Sequence, residues 1–438
     1  MKNLKKFAFI ILSLVVLEIV MACSKAAETL TSGATITADV LTIDSASLTD
    51  PSTEPKFIYG PQTFSGLKDL EALSGSLFSM VQGGDLEIKS VAGSVITNGL
   101  FTGGATPRLD YRIRDGVIKA ASPRTLAMLS SMYQFDSLVA QIEVLTGEKQ
   151  TDFFKSFGSF QVLFQPSIQV KDQDEVLRKY ENANAAFIAG AKQFALFQSG
   201  RNEKIPMNFN PQIISHEFGH AIFESAFFRN KYERCQTDRE NSGNIFIGRL
   251  ESEFAIRGLN EGFSDFVSFV WTGSSHILQS SLGSTRATSE RNFSKMSFDF
   301  SAYSESFDSV STVCEGRFYC IGSLWAAALM DVFKARGLSA GNKEQRALFL
   351  REIVKNLGSV SDTLRANEGL ALPEPETNLR ICNVRDVVSP LTDGDVLGAF
   401  FKAWIDSTPP SARAEYCKAI KARFGTAGFP VSYQRSCP

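Results

Sequence analysis

The 438 residues are 44% hydrophobic and 21% charged, enough apolar side chain for a sizeable core and too much for a disordered scaffold. A formal net charge of −2 leaves no basic excess for a phosphate backbone, so no nucleic-acid partner is expected. The basic residues are also scattered, without the aromatic interleaving of a nucleic-acid surface.

At the N-terminus, Lys2, Lys5 and Lys6 precede the apolar run "FAFIILSLVVLEIVMA", whose length and flanks fit a secretory signal and fall short of a membrane span. The run ends in "VMAC", which resembles a bacterial lipobox. That resemblance implies a signal peptide over 1–22, a lipid anchor on Cys23 and, from Ser24, sorting to the outer membrane of the cell envelope. Residues 23–55 are rich in Ser, Thr and Ala, the composition of a flexible tether. Further on, "SPRTLAMLSSMYQFDSLVAQIEVLTG" has helical apolar spacing. The stretches "FKSFGSFQVLFQPSIQV" and "NANAAFIAGAKQFALFQSG" carry Phe, Val and Ile between turn residues and read as strands. Pro211 stands in the first turn of "PQIISHEFGHAIFESAFF", where a helix tolerates it. A polar loop, "RNKYERCQTDRENSGN", follows, then a second helical pattern in "LESEFAIRGLNEGFSDFVSFVW". From "CIGSLWAAALMDVFKARG" onward the chain is mainly helical in pattern. Once Cys23 is set apart, six cysteines remain, an even number that allows up to three disulfides of undetermined connectivity in an exported chain. The 36 phenylalanines are assigned to core packing.

Two of the chain's three histidines fall in "HEFGH". On a helix, His216 and His220 share a face, so both imidazoles can converge on one ion, while Glu217 is offset and can meet a water beside it. Two imidazoles, one carboxylate and an open position form a known catalytic zinc set, with the glutamate as base. The third ligand is sought on the second helix, where "LNEGFSDF" supplies Glu261. Asp265, four residues later, is placed to accept a hydrogen bond from a ligand imidazole. Glu224 shares the face of His220, but as a further ligand it would close the open position, so it is placed outside the ligand set. His276 reads as a loop or surface residue, and nothing fixes Tyr303 or Asp299.

These motifs resemble those of the gluzincin metallopeptidases of thermolysin and fungalysin type. "HEFGH" matches the first motif, "NEGFSD" is similar to NE-x-x-SD and EGWSDF, and "YCIGSLWAAAL" is similar to the block H-x-x-GEVWA-x-x-L. "NANAAF" resembles the edge strand that holds a peptide, implying substrate contacts at Asn184 and Ala185. The motifs cover about thirty residues, and their order extends the resemblance from about residue 180 to 335. It implies a zincin-like α+β fold: an α/β half of the catalytic domain over 56–275, bearing the HExxH helix, and a mainly helical half over 276–438. Zinc would lie in the cleft between them. Two departures stand out. The gap from His220 to Glu261 is longer than in those relatives, indicating an insertion around Cys235. The histidine that stabilises their oxyanion falls on Tyr319, whose phenol can donate a hydrogen bond in its place; Ser323 replaces a family glutamate without an assigned role.

The expectation is therefore a monomeric, exported zinc metalloendopeptidase acting on peptides or proteins through His216, His220, Glu261, Glu217, Asp265 and Tyr319. Its rival is a non-catalytic or degenerate surface lipoprotein that binds or stiffens. An intact Glu217 favours the enzyme, and the missing histidine favours the rival.

Overall fold

Ala38, Val40 and Thr42 stand at alternate positions in "TADVLTI", and this stretch opens a four-stranded sheet. The computed structural model describes residues 35–50, 52–91, 94–97, 101–171, 177–180, 185–197, 205–228, 245–247, 253–277, 317–367, 393–425 and 431–437. The chain first forms β1 (Thr37–Ile43), β2 (Phe57–Thr63), β3 (Leu67–Asp69), β4 (Ser74–Gly75), β5 (Phe78–Gln82), β6 (Asp85–Val91), β7 (Ser94–Thr97), β8 (Tyr111–Arg114) and β9 (Val117–Ala120). Helices α1 (Pro123–Ala140), α2 (Ile142–Thr146) and α3 (Gln150–Phe153) come next. Strands β10 (Phe160–Phe164), β11 (Ser167–Lys171), β12 (Leu177–Tyr180), β13 (Ala185–Ile188) and β14 (Gln193–Leu196) precede α4 (Pro211–Phe228) and β15 (Ile245–Ile247). The rest is helical among the described residues: α5 (Glu253–Thr272), α6 (Arg317–Ala335), α7 (Lys343–Asn367), α8 (Asp393–Ser407), α9 (Pro410–Phe424) and α10 (Val431–Ser436). The protein is thus a mixed α and β fold. No described helix is long and apolar enough to cross a membrane.

Strand β1 corrects the expectation of a flexible tether across 23–55. Ile36, Ala38 and Val40 are buried, and β1 pairs antiparallel with β2 along its whole length. The Ser- and Thr-rich composition concealed it, because threonine and valine suit a pleated strand as well as a solvated linker. Asp39 is buried on the same strand and meets Lys119 of β9 at 2.7 Å.

A six-stranded sheet in the order β13-β14-β10-β5-β4-β3 backs α4, the helix that carries His216 and His220. Its central strands β5, β10 and β14 run parallel, with Phe78 opposite Phe160 and Phe194 opposite Val162, which puts all three phenylalanines on one face. All three rings are buried, and Phe135 of α1 joins them. Phe218 of α4 enters this cluster, with ring centroids 6.1 Å from Phe78, 5.7 Å from Phe154 and 6.4 Å from Phe194. Each such aromatic pair adds about 0.5–1.5 kcal/mol beyond area burial.

On its other flank α4 crosses α5, and α5 crosses α6. A methyl group on Gly219 would stand 2.7 Å from Ser264 Cα, and one on Gly262 would stand 2.1 Å from the Gly322 carbonyl oxygen. Only glycine lets these backbones approach so closely. Although α4 and α5 precede residue 276, α4 packs with α7 and α5 with α6 of the later half, and one hydrophobic core runs through both halves. Trp325 and Trp404 meet edge to face at 4.9 Å in the helical layer. Cys417 and Cys437 are joined by a disulfide that ties α9 to the segment after α10, and Cys320 is also disulfide-bonded.

Gly262→Ala is expected to destabilise the fold by about 1–3 kcal/mol through overpacking at the α5–α6 crossing. Chemical denaturation checks this, and an unchanged midpoint would mean that the two backbones are not in contact there.

Candidate metal site

Helix α4 is anchored at its start by Asn210, whose Oδ1 accepts the Gln212 N–H at 2.9 Å while its carbonyl accepts the Ile214 N–H. This is an N-cap followed by Pro211 at the first helical position. The Gln212 side chain donates to the His276 carbonyl at 2.8 Å, and Ser268 of α5 donates to the Gln212 carbonyl at 2.9 Å. The helix is buried nearly all round, as expected of one lacking a polar stripe. Successive residues turn about 100°, so Phe218 lies about 200° from both His216 and His220. Driving Phe218 into the sheet therefore turns both imidazoles toward α5.

There they meet Glu261. His216 Nε2 lies 3.4 Å from Glu261 Oε2, and His220 Nε2 lies 3.9 Å from Glu261 Oε1. One ligand atom from each residue falls within 4.8 Å of the others, and the two rings stand nearly perpendicular at 88°. Ligand atoms about 2.0–2.2 Å from a tetrahedral ion are separated by about 3.3–3.5 Å. The group can therefore hold a metal ion with small adjustments, and its nitrogen and oxygen donors suit a transition metal.

The other ring nitrogens are engaged away from that point. His216 Nδ1 lies 2.8 Å from Asp265 Oδ1, a buried carboxylate. With Nδ1–H directed at Asp265, Nε2 presents its lone pair to the ligand centre. Burial opposes protonation of His216. The hydrogen bond and charge of Asp265, with smaller contributions from Glu261 and Glu217, overcome that cost and push the imidazole up to about 10. The environment is one that demands a positive charge, from a proton or from an ion. Glu217 is buried beside the group at 7% exposure.

Asn260, one residue before Glu261, was missed as a site residue by sequence reasoning. Its Oδ1 lies 2.9 Å from His220 Nδ1, and its Nδ2 donates to Glu224 Oε1 at 3.0 Å. The available signal was its place in "NEGFSD", about 100° around α5 from Glu261. Glu224 lies outside the His216–His220–Glu261 group, as the need for an open position required.

Tyr319 sits in the first turn of α6 and is 37% exposed, whereas Ser323, one turn later, is buried. Ala185 begins β13, the edge strand of the six-stranded sheet, which packs against α4. His276 lies in the segment after α5, half-buried rather than on the surface. Cys23, Asn184, Asp299, Tyr303 and the insertion around Cys235 lie outside the described residues. The site thus defines the class to which the chain can be assigned: a mixed α and β protein with a buried two-histidine, one-glutamate group fit for a metal ion. No family model matches the chain, and no curated protein matches it.

Asp265→Asn is expected to weaken metal binding about 10–100-fold, since the partner that orients His216 loses its charge. Competition against a chromophoric chelator measures it, and wild-type affinity would show that the 2.8 Å contact does not orient the ring.

Proposed function

We propose that the protein is an exported, lipid-anchored zinc metalloendopeptidase of gluzincin type, hydrolysing peptide bonds without a covalent intermediate. The observation that carries this reading is the convergence of His216, His220 and Glu261 with Glu217 buried next to them. A structural metal site needs ligands only; a buried carboxylate adjacent to the ligands, with a fourth coordination position left open, suits hydrolysis. Zinc is favoured because two imidazoles and one carboxylate form a known catalytic set for it.

When bound, the ion supplies Lewis acidity to the scissile carbonyl and the attacking water. Glu217 takes the proton from that water and delivers it to the departing amine nitrogen. Asp265 holds the His216 proton at Nδ1. Strand β13, at a sheet edge beside α4, offers backbone groups from Ala185 onward to an extended peptide. Tyr319 is assigned to oxyanion stabilisation, donating its phenolic proton to the developing charge. Cys23 carries the lipid that anchors the protein in the outer membrane of the cell envelope.

A second reading, a surface lipoprotein that binds without turnover, is favoured by one observation. The position that the motif resemblance gives to histidine holds a partly exposed tyrosine.

Purified protein is expected to cleave casein in a chelator-sensitive manner, and Glu217→Gln should keep its zinc and lose cleavage. If both bind one zinc and neither cleaves any peptide offered, the binding reading stands. Tyr319→Phe should lower kcat by about 10²–10³-fold if the phenol serves the oxyanion; full activity would remove Tyr319 from the mechanism.

A further inference from the structure

We infer that Glu224 is a positioning residue for His220, acting through Asn260: it fixes which way the Asn260 amide points, and the amide fixes which His220 nitrogen faces the ion. The inference rests on the metal-site reading and not on catalysis. An asparagine amide has an accepting end and a donating end of nearly the same shape, so its direction is set by its neighbours. Glu224 Oε1 lies 3.0 Å from Asn260 Nδ2, and as a carboxylate it can only accept there. That requirement turns Oδ1 toward His220 Nδ1, 2.9 Å away. An oxygen at that position calls for a proton on Nδ1, and the neutral ring then carries its lone pair on Nε2, the atom facing Glu261. With the amide reversed, the NH₂ group would face Nδ1, the ring proton would move to Nε2, and the ligand would be lost.

The two imidazoles are thereby oriented by different means. His216 has a carboxylate directly against Nδ1. His220 has an amide, which is ambivalent, and a carboxylate one step further away removes the ambivalence. Glu224 and His220 are four residues apart on α4, and Asn260 comes from α5. The chain of contacts therefore leaves the helix and returns to it. Burial pushes the Glu224 carboxyl up to about 8, against the lowering effect of the Asn260 hydrogen bond. Among the described residues its Oε2 is buried with no hydrogen-bond partner, an arrangement that costs stability. A neutral carboxyl still accepts from Nδ2 through its carbonyl oxygen but also carries an O–H donor, so it permits the amide direction that the carboxylate enforces.

The test compares zinc dissociation constants of the full chain by chelator competition, without reference to turnover. Glu224→Met should weaken binding about 10–100-fold, as loss of outer partners of ligand imidazoles does, while Glu224→Gln, which keeps a carbonyl acceptor, should stay close to the parent. In an Asn260→Ala background, Glu224→Met should add no further loss, because the shared partner has gone. Parent-like affinity in Glu224→Met, or an equal loss in both backgrounds, overturns the proposal. A measurement on the unmutated protein is independent of variant folding: ¹⁵N shifts of the neutral, metal-free His220 ring should report the proton on Nδ1, and a proton on Nε2 overturns the proposal. Zinc binding without cleavage would defeat the peptidase reading and leave this one standing. Failure of the parent to bind zinc would end both.

Discussion

Every feature of the site depends on the rotation of one helix about its own axis. Phe218 is held in a cluster of rings contributed by three parallel strands and α1, and no other residue of α4 can take its place without turning the histidines aside. The same helix is pressed against α5 at Gly219, where a methyl group would collide with the backbone of Ser264. A bulky ring on one side and a missing side chain on the adjacent position leave α4 a single seating. The ligand geometry follows from this packing.

The second helix is fixed in the same manner. Glu261 stands between Gly258 and Gly262, whose backbones both meet Gly322, and Ser264 beyond them meets Gly219 of α4. Its neighbours on either side are thus constrained by backbone contacts, which do not hop between rotamers. The charge distribution completes the arrangement. Glu217, Glu261 and Asp265 are buried around two imidazoles, an excess of negative charge that burial alone would penalise. A cation at the ligand centre offsets that penalty.

Much of this was legible in the sequence because a helix repeats on a nearly four-residue period. His216 with His220, and Glu261 with Asp265, advertise their shared faces through spacing alone, and a proline marks where the helix of the histidines starts. Glu224 showed the same spacing from His220 and Asn260 lay inside a motif, but neither sign pointed to the contact between them. Their significance comes from standing opposite one another across two helices, a relation that one-dimensional spacing does not encode. Strand β1 was hidden for another reason: at Thr37–Ile43 the side chains that solvate a linker and those that suit a pleat are the same. The glycines of the motifs were visible as letters, but what they admit became apparent only where a second backbone lay against them. Tyr319 shows the remaining limit, since alignment places it and chemistry permits it, while neither decides what it touches.

Because the ring of Phe218 belongs to the sheet and the bare backbone of Gly219 belongs to the helical layer, adjacent residues are claimed by opposite sides of the molecule. Severing one side would release α4 to roll, and the coordinating corner would disperse even with all its side chains intact. The ion-holding function cannot be transplanted as a short cassette; sheet, helical layer and the peptide bond joining those two residues must travel together.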